Sequence, residues 1–153
     1  MSLKKIGLLA LIALVFATAF LEIIVTQRSE AIAPAPKPTA VLGPLDGKLI
    51  VQSIDDLRVG GRKIVLCGAA FTKPQSMRAI VTEAAKRDYQ GLAMHCKPVG
   101  TGTPCDGNVA SRFGNAVVVQ CFTPDGIDLA VKLTQNGLLC GQPAQADTTY
   151  KPC

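Results

Sequence analysis

At 153 residues the chain has room for about one domain, which sets aside a multidomain reading. Its formal net charge is +5, and from Ala40 onward twelve Lys and Arg stand against nine Asp and Glu, scattered without a run. With few aromatics beside them, those charges read as a mildly basic solvated surface and argue against a nucleic-acid partner.

The hydrophobic excess sits at the N-terminus. Lys4 and Lys5 precede an apolar run from Ile6 to Val25, broken only by Thr18 and Glu22. Twenty helical residues span about 30 Å, the thickness of a hydrocarbon core. Residues 1–25 are therefore expected to form one transmembrane helix, with residues 6–25 in the membrane. The leading lysines predict a cytoplasmic N-terminus and a periplasmic domain, as in a single-pass protein of a bacterial inner membrane. A cleaved signal peptide is the competing reading, with Ala17-Thr18-Ala19 as the cleavage pattern. Phe20 to Val25 extends the apolar run past that point, as an anchor requires. Ala31-Ile32-Ala33 is a second pattern, hindered by Pro34 directly after it. Either way the domain is exported.

Residues 26–46 read as a linker. Ala33-Pro34-Ala35-Pro36-Lys37-Pro38 favours extended polyproline II, a spacer of about 3.1 Å per residue. A disordered tether is the plainer alternative for the same stretch. The domain proper is expected over 47–153.

Within it, Lys48-Leu49-Ile50-Val51-Gln52 predicts a strand, and Leu57-Arg58-Val59 alternates as a second. Gly60-Gly61 is a tight-turn signal leading into Arg62 to Cys67, so these form a hairpin. Pro74-Gln75-Ser76 offers an N-cap for a helix over Met77 to Tyr89, which carries Met77, Ile80, Val81, Ala84 and Ala85 at helical spacing. Gly91 stops that helix, and Leu92 to Cys96 reads as a fourth strand. A Gly/Thr/Pro-rich loop from Pro98 to Gly107 leads to Ala116–Phe122, the clearest strand in the chain. A short helix follows over Asp128 to Asn136, with Asp128 placed to cap it and Gly137 to end it. The fold class is α+β: a small five-stranded closed barrel of the OB type with about two helices, after one N-terminal transmembrane helix.

Six cysteines, Cys67, Cys96, Cys105, Cys121, Cys140 and Cys153, form an even, well-spread set. In an exported domain they read as disulfides. A zinc site is disfavoured, because no CxxC spacing occurs and the single histidine, His95, sits beside Cys96. Spacing leaves 15 pairings open.

Five segments in order resemble the thermonuclease-like (staphylococcal-nuclease-type) family, over roughly Lys48 to Cys140. Asp55-Asp56-Leu57-Arg58-Val59-Gly60-Gly61 resembles its DGDTLxVxG segment, and Ile64-Val65-Leu66-Cys67-Gly68 its VRLxGIDxPE strand. Gly91 to Cys96 is similar to a GxxVxC strand, and Phe113 to Phe122 to YGRxVAxCF. Asp128-Leu129 through Gly137-Leu138 resembles the DLNxxLVxxGxA helix. Fold alone does not give function.

The resemblance implies a calcium held by carboxylates, a carboxylate base and two arginines on the phosphate. Only one of those five parts is retained. The ligand of DGDT falls on Asp55, whereas the motif's first Asp falls on Ser53. The family's first arginine falls on Val65, its second metal ligand on Ala70, its base on Lys73 and its second arginine on Asn115. Arg62, Lys63 and Arg112 lie close by, but a one-residue shift on a strand reverses the face. Loss of a single oxyanion-type stabiliser already costs about 100- to 1000-fold in rate. The expectation is thus a non-enzymatic domain that needs no cofactor or metal and serves as a structural or accessory subunit of a membrane or envelope complex, with protein partners. An oligonucleotide- or oligosaccharide-binding module is the alternative, and a calcium-dependent nuclease the second. By analogy with the family's barrel, the implied disulfides are Cys67–Cys140, Cys96–Cys105 and Cys121–Cys153.

Overall fold

Leu45, Leu49 and Val51 turn inward along the first strand, while Asp46, Lys48, Ile50 and Gln52 face solvent. This alternation is what a half-buried barrel wall requires. The computed structural model describes residues 42–153. Strand β1 (Leu45–Ser53) begins two residues before the expected start of the domain at residue 47 and is shared between two neighbours. Its first half, Leu45 to Lys48, pairs antiparallel with β5 (Ala93–Pro98), and its second half pairs with β2 (Asp56–Val59). The β1–β2 register shifts between Val51 and Ser53, as at a bulge, where a strand bends.

Gly60 and Gly61 both adopt positive φ, 56° and 78°, which a tight primed turn demands, and they join β2 to β3 (Arg62–Leu66) as expected. Strand β7 (Ala116–Phe122) coincides with the predicted run and pairs antiparallel with β5 and parallel with β3. The circuit β1–β2–β3–β7–β5–β1 closes a five-stranded barrel, consistent with the OB type. Leu49, Val59, Ile64, Val119 and Leu129 fill it and are almost wholly inaccessible.

Helix α1 (Arg78–Tyr89) follows a 3-10 turn, Gln75–Met77, that replaces the expected Ser76 cap; no side chain caps it. It packs on β1 through Val81, Thr82, Ala85 and Tyr89, and the Thr82 hydroxyl accepts the Ile54 N–H at 3.0 Å. Of the expected apolar set, Met77 and Ile80 therefore point to solvent. Helix α2 (Leu129–Gln135) is capped by Asp128, whose Oδ1 accepts the Ala130 N–H at 2.8 Å. A third helix, α3 (Pro143–Ala146), raises the expected count of two to three. The short strands β4 (Ala69–Ala70), β6 (Arg112–Phe113) and β8 (Cys140–Gly141) carry too little periodicity to be foreseen.

All six cysteines are oxidised, but each implied pairing is corrected. The bonds are Cys67–Cys105, Cys96–Cys121 and Cys140–Cys153, in place of Cys67–Cys140, Cys96–Cys105 and Cys121–Cys153. Register is the reason. Cys96 and Cys121 are direct cross-strand partners on β5 and β7, with Cα atoms 4.0 Å apart. The Val99 N–H to Val118 carbonyl bond fixes the ladder's phase and puts Cys96 and Cys121 at a close, non-hydrogen-bonded position. Cys105 then meets Cys67 at the end of β3. Strands β4 and β8 do bring Cys140 near the segment after β3, but opposite Ala70 instead of Cys67. The tail folds back as Gly141 N–H donates to the Lys151 carbonyl, and Cys153 reaches Cys140.

The tail lies close on the barrel. A Cβ at Gly68, where φ is 67°, would meet Ala146 and come within 2.8 Å of the Tyr150 ring. Among the described residues no helix is long and apolar enough to cross a membrane. The expected anchor, residues 6–25, lies outside them.

Candidate functional site

The sheet geometry decides which of the positions singled out by the resemblance share a surface. On β3, Ile64 and Leu66 point into the core, so Lys63 and Val65 share the outer face. Val65 stands beside Val118 of β7, and Asp55 occupies the β1–β2 turn. Residues after β3 return through β4, bringing Ala70 and Phe71 to the same side.

Two contiguous hollows result. One, of about 220 Å³, is lined by Asp55, Val65, Ala70, Phe71 and Leu139. The other, of about 490 Å³, shares Asp55 and Val65 with the first and adds Lys63, Phe113, Asn115 and Val118. Asp55, Val65, Ala70 and Asn115 are thus brought together, while Lys73 lines neither hollow. Asn115 sits in the two-residue loop between β6 and β7, where Phe113 pairs with Ala116.

Asp55 has both oxygens engaged. Ser53 Oγ donates to Oδ1 at 2.7 Å, and Arg78 Nη1 lies 2.7 Å from Oδ2. The Arg78 guanidinium also sits 5.7 Å from the centre of the Phe71 ring. It comes from the first residue of α1, which the β1–α1 packing holds beside the β1–β2 turn. A guanidinium therefore stands against the Asp55 carboxylate and offsets its charge. Among the described residues lining the two hollows, Asp55 is the one carboxylate, and most of the others are apolar. Among the described residues no group of three or more His, Cys, Asp or Glu gathers at metal-binding distance.

Arg78 escaped the sequence reading because it is 23 positions from Asp55 and belongs to no family motif. Its signal was weak: a cation at a helix start, where an anion is electrostatically favoured.

Beyond the second hollow lies a groove of about 500 Å³, lined among others by Arg58, Arg62, Lys63, Arg112 and Asn115. The two meet at Lys63 and Asn115, but the rest of their linings lie on opposite faces of the sheet: Val65, Val118 and Phe113 line the hollow, and Arg62, Arg112 and Val117 the groove. Arg62, Lys63 and Arg112, scattered in sequence, meet because β2 and β3 form a hairpin and β6 pairs with β7 next to it. Asp56 lies 3.4 Å from Arg58 Nε and 3.6 Å from Lys63 Nζ. Among the described residues Arg62 and Arg112 have no carboxylate within 4.0 Å.

The polar network on the other side of the barrel is structural. Asp128 Oδ2 accepts from Gln120 Nε2 and from the Tyr150 hydroxyl, both at 2.8 Å, which ties the tail to the start of α2. Burial, with the Asp128 carboxylate beside it, pushes the Tyr150 phenol well above its usual range. Compared with protein-family models and with curated proteins, the chain matches none.

Proposed function

We propose that the chain is a non-catalytic, membrane-anchored envelope protein whose barrel is a degenerate thermonuclease-like domain, acting as an accessory subunit of a membrane complex. The observation that carries this reading is Asp55: a hydroxyl and a guanidinium occupy the carboxylate that a calcium ion would need. The strand order supports the family reading, together with the five segments quoted above. Three disulfides support an oxidising compartment such as the periplasm. The apolar run at 6–25 supports the anchor. A disulfide-locked barrel without reactive groups at its open face is suited to holding partners.

Purified full-length protein supplied with calcium is expected to hydrolyse neither DNA nor RNA above buffer. Calcium-dependent cleavage that disappears in Asp55→Ala overturns the reading. The anchor is expected to keep the intact chain in carbonate-washed membranes, and gentle solubilisation to recover a stoichiometric membrane partner.

A further inference from the structure

The three disulfides differ in what can reach their sulfurs. Cys67, Cys105, Cys96 and Cys121 are each at most 1% exposed, so an outside thiol meets no sulfur of those two bonds. In the third bond Cys140 is buried but Cys153 is exposed, as are Lys151 and Pro152 in the same stretch outside any strand or helix. The turn just before that stretch is strained. Ala146 to Thr149 is closed by the Thr149 N–H on the Ala146 carbonyl, and Asp147 takes φ 47° and ψ −134°, a conformation suited to glycine. Such strain lasts only while the surroundings fix both ends. Burial fixes Ala146; beyond the turn the ties are the Tyr150 hydroxyl on Asp128, the Gly141 N–H on the Lys151 carbonyl, and the disulfide. The Cys140–Cys153 loop also borders the candidate site. Leu139, just before it, lines the first hollow, and Gln145, within it, lines the second.

We propose that Cys140–Cys153 is a redox-sensitive latch: a dithiol reductant opens it while the other two bonds stay closed, and the freed tail loosens that side of the two hollows. One thiolate of the dithiol attacks Cys153 Sγ, the bond to Cys140 breaks, and its electron pair leaves on the Cys140 sulfur. The dithiol's second thiolate then attacks its own sulfur in the mixed disulfide and releases Cys153. Overall two electrons and two protons pass from the dithiol to the protein, and the dithiol ends as a disulfide. Burial disfavours a thiolate at Cys140 and slows its departure. The other two bonds are slower still, because attack on either sulfur first needs the fold to open. The latch needs neither a partner nor an anchor, so it stands apart from the accessory-subunit reading.

The test treats full-length protein in detergent micelles with graded dithiothreitol, traps free thiols with N-ethylmaleimide and maps the labelled peptides by mass spectrometry. Cys140 and Cys153 are expected to be labelled at concentrations at least about tenfold below those that open Cys67–Cys105 or Cys96–Cys121. Hydrogen exchange on the protein opened at that bond alone is expected to rise over residues 139–151 and to stay unchanged in β7. Cys140→Ser with Cys153→Ser, which carries neither bond nor label, should show the same rise without reductant. Tyr150→Phe, which removes a remaining tie, should enlarge the rise in the reduced protein. Labelling of Cys67 or Cys96 first, or of all six cysteines together, overturns the proposal. So does selective opening of Cys140–Cys153 that leaves exchange over 139–151 as it was, since the bond would then hold nothing the rest of the tail does not.

Discussion

The barrel wall, which carries one disulfide of its own, Cys96–Cys121 between β5 and β7, and the segments appended to it are held mainly by different means. In the wall, apolar residues alternate and each strand finds ladder partners, so Leu49, Val59, Ile64 and Val119 are buried by strand pairing itself. The loop at residues 99–111 has no strand or helix, and the tail beyond Gln135 has one two-residue strand and one short helix. They are fastened by covalent and polar ties. Cys67–Cys105 holds the loop and Cys140–Cys153 holds the tail. Asp106 accepts from the Gly100 and Gly102 N–H groups, both at 2.7 Å, and from the Thr103 hydroxyl at 2.6 Å. Asp128 receives Tyr150 from the tail. Where side chains cannot form a core of their own, cross-links and carboxylate hubs take its place.

Breaking the loop's covalent tie should have the largest effect. Cys67→Ser with Cys105→Ser opens a closed loop with a sequence separation of 38, and the chain-entropy estimate is about 4 kcal/mol. Denaturant unfolding against the unaltered protein measures it, and a loss no larger than that of a surface substitution would show that the loop is held by its polar hub alone. In the wall, Leu49→Ala should cost about 3 kcal/mol, from lost burial and the cavity left behind. If the wall and the appended segments unfold as one unit, both variants will show a single transition with the same denaturant dependence.

Tyr150→Phe sharpens the contrast. It removes one buried donor to Asp128 and should cost about 2 kcal/mol, with faster proteolysis of the tail. Equal protection of the tail in the variant would mean that Cys140–Cys153 alone fastens it.

The smallest effect is acid sensitivity. The Thr103 hydroxyl and the Gly100 and Gly102 N–H groups hold the Asp106 carboxyl down to about 2, against an ordinary 3.8. The folded form thus favours the charged carboxylate. Its contribution is complete above the ordinary value and drains away as pH falls through about 2. Melting temperature is expected to drop over that window, and Asp106→Asn should flatten part of the drop. Asp125, lowered to about 2 by the Thr123 hydroxyl and Lys132, supplies another part. A profile identical in Asp106→Asn would remove Asp106 from the hub.

The same contrast explains what could be read from the chain. Ala116–Phe122 was legible because a run of branched apolar residues has few places to go except a buried strand. Asp128 and Gly137 were legible because helix ends have specific chemical needs. The disulfide partners were not. Whether Cys96 faces Cys105 or Cys121 depends on the β5–β7 register, which a one-residue slip would change. The inward face of α1 was misjudged for a similar reason: the helix packs through Thr82 and Tyr89, and Ile80 is left 73% exposed. At the site, the absence of charge at Val65, Ala70 and Asn115 was plain from residue identity. The neutralisation of Asp55 by Arg78, and the meeting of Arg62 with Arg112, required tertiary structure.

Closure of the barrel also has a kinetic side. The parallel seam pairs Ile64 with Val117, so an unlinked chain must bring together points 53 residues apart before the seam repays the lost entropy. Once Cys67 and Cys105 are joined, the remaining path is three residues on one side and twelve on the other. Loop-closure entropy scales with the logarithm of length, which makes the shortened search easier by about 1 kcal/mol, or about sixfold in rate. The oxidised chain should therefore refold faster than the reduced one, and the moment at which Cys67 and Cys105 are joined would set how soon the barrel closes.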